Sequence, residues 1–92
     1  MKYVIGPEPD WSLIPEYMRG GLKRYIENGI EPGHFLAAVL QNDLRQACER
    51  ADSTNMRLLF EYVQFLYNYA PSECWGSVVN YSGWIKKGGL SP

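Results

Sequence analysis

The sequence predicts an all-α protein: a compact bundle of about four short helices around a nearly all-apolar third helix, with an extended N-terminal arm. Two observations carry this. The stretch Met56 to Tyr69, MRLLFEYVQFLYNY, has Arg57, Glu61, Gln64 and Asn68 as its only polar side chains apart from tyrosine hydroxyls, and their spacings of four, three and four draw one line down a helix. A surface helix usually shows an apolar stripe of a little over ~100° and a broad polar face, so a helix with this inverted ratio is expected to be covered on most sides. The flanking segments repeat apolar residues at helical spacing, with Pro15, Gly29, Pro32, Pro71 and Gly88 as punctuation.

In chain order, residues 1–13 form the arm. Lys2-Tyr3-Val4-Ile5 is strand-like, Gly6, Pro7 and Pro9 stop it, and Trp11 and Leu13 pin the arm to the core. A first helix starts near Pro15, which is favoured at a helix start because its missing N–H costs nothing there. Ile14, Met18, Gly21, Leu22, Tyr25 and Ile26 are its inward face, and Gly29 ends it in the left-handed conformation. Gly20-Gly21 in mid-helix costs about 1 kcal/mol per glycine relative to alanine, which calls for a close approach or a break.

Glu31-Pro32-Gly33 connects to a second helix over His34 to Ala51, with Phe35, Leu36, Val39, Leu40, Leu44, Ala47, Cys48 and Ala51 on its apolar side. Asp52 to Asn55 supply N-cap oxygens for the core helix. Ala70-Pro71 stops that helix, Ser72 caps one turn, and Ser77 caps a last helix over Val78 to Lys87 that Gly88-Gly89 ends. Residues 1–92 are read as one helical domain, with its core at 14–89.

Composition bounds the class of protein. Forty-six per cent apolar residues is too rich for a disordered chain, and no apolar run reaches the ~18 residues of a membrane span. MKYVIGPEPDW fits neither a signal nor a transit peptide, so a cytoplasmic location is expected. Cys48 and Cys74 lack metal-ligand spacing and the chain has one histidine, so neither a metal nor a cofactor is expected and both thiols are read as free. A formal charge of −1 gives no long-range field to hold a polyanion, so nucleic acid is not expected as a partner. Large side chains left uncovered among Phe60, Tyr62, Phe65, Tyr67 and Tyr69 would drive self-association at ~1.5–3 kcal/mol each, so a homo-oligomer is expected, most simply a two-fold dimer. The competing expectation is a monomer with its tyrosines at the rim.

Candidate chemistry is sparse. His34 at a helix start could meet an anion, or simply sit in a capping region. Arg19, Lys23 and Arg24 beside Tyr17 and Tyr25 combine charge with rings, as a nucleotide requires, although such a face is also an ordinary solvated one. Cys74 in SECWGS has no histidine neighbour, which argues against a nucleophile. Trp75 is either a lid on the core or a stacking wall. IPEYMRGGLKRYIENGIEPGHFLAAVLQNDLRQACERAD, LYNYAPSECWGS and WIKKGG, from Ile14 to about Gly89, resemble a family of small phage and prophage proteins without an assigned activity. The resemblance implies a host-takeover or anti-defence factor. Two functions are weighed: a non-enzymatic homo-oligomer that sequesters a nucleotide-like ligand in pockets lined by Arg19, Arg24, Tyr25, His34 and Trp75, and a protein-binding inhibitor or adaptor that blocks a host defence enzyme.

Overall fold

A computed structural model describes residues 8–90, and all regular structure among them is helical. Six α-helices follow in order: α1 (Glu16–Asn28), α2 (His34–Leu40), α3 (Leu44–Arg50), α4 (Ser53–Arg57), α5 (Leu59–Tyr69) and α6 (Val78–Lys87). Single 3-10 turns lie at Trp11–Leu13 and Ser72–Cys74. The Cα radius of gyration is 12.0 Å, close to the ~12 Å of a folded chain of this length. No helix among the described residues is long and apolar enough to cross a membrane.

Helix ends follow local chemistry. Gly29 adopts φ 68° and its N–H bonds the Tyr25 carbonyl at 2.8 Å, closing α1. Asp52 Oδ1 accepts the Asn55 N–H at 2.7 Å and starts α4, while Ser77 Oγ accepts the Asn80 N–H at 3.0 Å and starts α6. At the end of α6, Gly88 at φ 90° lets the Gly89 N–H reach back to the Trp84 carbonyl at 3.0 Å.

Two long helices expected from periodicity are each divided. The segment expected as one helix over His34 to Ala51 turns at Asn42, which takes φ 62°. The Asn42 and Asp43 N–H groups bond back to Val39 and Ala38, and Asp43 Oδ1 then caps α3 through the Gln46 N–H. Asparagine tolerates the left-handed region and aspartate is a strong N-cap, so Asn42-Asp43 ends one helix and begins the next. The expected core helix breaks at Leu58 (φ −104°, ψ 11°). The buried Asn55 accepts the Tyr62 hydroxyl at 2.6 Å and ties α4 to α5 across that break. Residues 1–7 of the expected arm lie outside the described residues; its last part is a 3-10 turn whose Trp11 ring lies 4.7 Å from Phe65.

The core gathers Ile14, Leu22, Tyr25 and Ile26 with side chains of every other helix except α4 and with Cys74. Tyr25 stacks on Tyr81 at 5.5 Å, and Phe35 meets the Tyr62 ring edge-on at 5.1 Å. Helix α5 is covered only in part, and of the five large side chains named from sequence Phe60 and Tyr67 are the ones left exposed. Tyr62, Phe65 and Leu66 are buried, but Phe60 is 70% and Tyr67 79% exposed, with Met56 and Val63 exposed beside them. It covers the core on one side and is left uncovered on the other.

Two outcomes follow. Gly89 has φ 73°, and a Cβ there would lie 2.5 Å from the Gly29 nitrogen, whereas one at Gly88 would meet nothing within 4 Å. Gly89→Ala should therefore cost more in urea unfolding than Gly88→Ala, which carries only the left-handed penalty of about 1 kcal/mol; equal losses would show that the close approach is absent. The exposed Tyr17 hydroxyl donates to Asp52 Oδ2 at 2.6 Å and, with the Asn55 N–H, holds the Asp52 carboxyl below its ordinary range. Stability from this contact is present above the unfolded carboxylate pKa and is lost as pH falls through the lowered folded one. Tyr17→Phe should flatten the acid limb of a Tm-against-pH curve, and an unaltered limb would contradict the contact.

Candidate functional site

Division of the second helix makes a cleft. Helices α2 and α3 leave the Gln41–Asp43 corner with one face each toward a common space of about 480 Å³, within the range of small-molecule sites. From α2 and its C-cap come His34, Ala37, Ala38 and Gln41, spaced as one helical face, and from α3 come Gln46 and Arg50, one turn apart. Glu31 and Pro32 in the connection before α2, Asp43 at the corner and Tyr81 of α6 complete the lining. His34 and Arg50 are at the helix ends farthest from the corner.

The wall has mixed charge. Glu31 and Asp43 carry two negative charges against one positive charge on Arg50, giving −1 with His34 neutral. Asp43 is committed to capping α3. Glu31, His34 and Arg50 make no ion pair or side-chain hydrogen bond among the described residues. Burial, and then the nearby Glu31 charge, raise the Tyr81 pKa, so its phenol stays protonated and neutral.

Of the five residues singled out from sequence, only His34 lines this cleft. Arg19 is half-buried and its Nε–H donates to the Ile14 carbonyl at 2.8 Å, closing the entry to α1. Arg24 is exposed and folds its guanidinium over Gly20; α1 runs unbroken through Gly20-Gly21 and no backbone approaches either glycine, so the close backbone approach or break expected there is not found. Tyr25 is fully buried and its hydroxyl donates to the Cys74 carbonyl at 2.6 Å, so it offers no surface to a ligand in this conformation. Trp75 packs half-buried on the core, its carbonyl accepting the Asn80 side-chain N–H at 2.9 Å. Glu31, Gln46, Arg50 and Tyr81 were not singled out. The Asn42-Asp43 pair was the available signal, since a turn there brings the 34/37/38/41 and 46/50 faces together.

Elsewhere, an apolar dimple between Leu44, Leu59 and Val63 adjoins the exposed side of α5. Cys74 is buried, which pushes its thiol up to about 12. No group of three or more His, Cys, Asp and Glu residues that could hold a metal ion gathers among the described residues. Comparison with protein-family models, curated proteins and solved structures returns no match to the chain.

The thiols give a direct check. Native protein at pH 8 should react with a thiol reagent at Cys48 alone, and guanidinium should release Cys74 as a second equivalent. Rapid native reaction at both would show that the Tyr25–Cys74 region opens readily.

Proposed function

We propose that the protein acts by binding, as a small non-enzymatic homo-oligomer whose assembly surface is the outer side of α5. The observation that carries this is the row Phe60, Val63 and Tyr67 on α5, all exposed and spaced three and four, with Met56 of α4 also exposed beyond the break at Leu58. Leu44, 66% exposed, extends the row onto α3. Two aromatics of ~150–250 Å² each with three aliphatic neighbours approach the ~800 Å² per partner of a stable interface.

The occupant is a second copy of the chain. An antiparallel two-fold contact centred between positions 61 and 62 of α5 pairs Phe60 of one copy with Val63 of the other and carries Tyr67 toward the partner's α4–α5 junction. The Leu44–Leu59–Val63 dimple then lies beside the partner's Phe60 ring. In the phage setting, the assembled protein would serve as an inhibitor or adaptor that covers a host defence enzyme. Nucleotide sequestration draws less support, since Tyr25 is buried, Arg19 is committed to a carbonyl, and the cleft at His34 has a net negative wall.

Sedimentation velocity across a wide concentration range tests this. The wild type should associate, and Phe60→Glu should weaken association by at least about tenfold, since it buries a charge in place of a ring. A wild type that stays monomeric, or a Phe60→Glu variant that associates as well as its parent, would overturn the proposal.

A further inference from the structure

The geometry points to a binding site for a small zwitterion of the α-amino-acid type in the cleft between α2 and α3. This stands apart from assembly through α5. Three features carry it together. The cleft, about 480 Å³, holds a molecule of this size with room for its side chain. Its border has an uncommitted carboxylate, Glu31, and an uncommitted guanidinium, Arg50, which come from different segments and form no ion pair with each other. The half-buried Ala37 supplies the apolar part of the wall, with Ala38 and Tyr81 buried behind it.

Charge selects the ligand class. Two carboxylates against one guanidinium make the wall net negative, so a phosphate-rich anion would meet repulsion from Glu31 and Asp43 as it approached Arg50. A simple cation would meet the reverse problem at Arg50. A zwitterion answers both: its carboxylate takes the Arg50 guanidinium, which presents paired N–H donors to two oxygens, and its ammonium takes Glu31. Gln41 and Gln46 add neutral donors and acceptors, and the ligand's side chain lies against Ala37. Both charged pairs form at a solvent-facing rim, so binding is weak.

Backbone amide NMR titration of the full chain tests the site with four probes: L-phenylalanine, 3-phenylpropionate, phenethylamine and adenosine monophosphate. L-phenylalanine should give saturable shifts at the amides of Ala37, Ala38 and Gln46. The two single-charge analogues should bind at least about tenfold more weakly, and Arg50→Gln and Glu31→Gln should each weaken L-phenylalanine by a similar factor. Arg50 and Glu31 are exposed and unpaired, so both variants should keep the parent's Tm. Absence of shifts at these amides, equal affinity for either analogue, or tighter binding of adenosine monophosphate would overturn the assignment.

Discussion

The indole N–H of Trp84 points between the carbonyls of Tyr25 and Ile26, 3.1 Å from each. Those carbonyls belong to the last turn of α1, where backbone acceptors run out of intrahelical donors. A buried indole N–H without an acceptor would cost on the order of 1–3 kcal/mol, so the bond decides how α6 can lie against α1. Tyr25 works in the same place, its hydroxyl on the Cys74 carbonyl and its ring on Tyr81. The Leu90 N–H bonds Ile26, and Gly89 passes close against Gly29 where no side chain would fit. Together these contacts join α1, the 72–74 turn and α6 around one buried polar centre.

Helix α5 lies apart from that centre. It meets the core through Tyr62, Phe65 and Leu66, contacting Phe35 of α2 and Trp11 of the N-terminal turn. Nothing in the described chain covers its far side. The protein thus has two surfaces of opposite character: an apolar row on α5, suited to a large complementary surface, and a polar cleft between α2 and α3 framed by unpaired charges. They come from different elements, so one can be occupied without the other.

Much of the helical layout was legible because caps are local. Gly29, Asp52, Ser77 and Gly88 act within a few residues of themselves, and each terminates or starts a helix where its chemistry requires. The corner at Asn42-Asp43 was hidden because both residues also suit the wet side of a continuing helix; only the left-handed conformation at Asn42 distinguishes the two outcomes. Leu58 carries no breaking chemistry at all, and the structure offers no single residue that explains the division there. Apolar content along α5 showed that short neighbouring helices would leave part of it uncovered, but which of Phe60, Tyr62, Phe65, Tyr67 and Tyr69 stay exposed depends on where those helices reach. The site residues were least legible for the same reason. Tyr25 finds its acceptor 49 residues away, and the Arg50 cleft exists only once the corner folds.

The central claim, that α5 is uncovered in one chain because a second chain covers it, is tested most directly by isotope-filtered NOE spectroscopy on a mixture of labelled and unlabelled protein. Intermolecular NOEs from the Phe60 ring to the Val63 and Leu44 methyls are predicted, as an antiparallel two-fold contact requires. Intermolecular NOEs confined to another face, or none at concentrations where the protein is associated, would contradict the account.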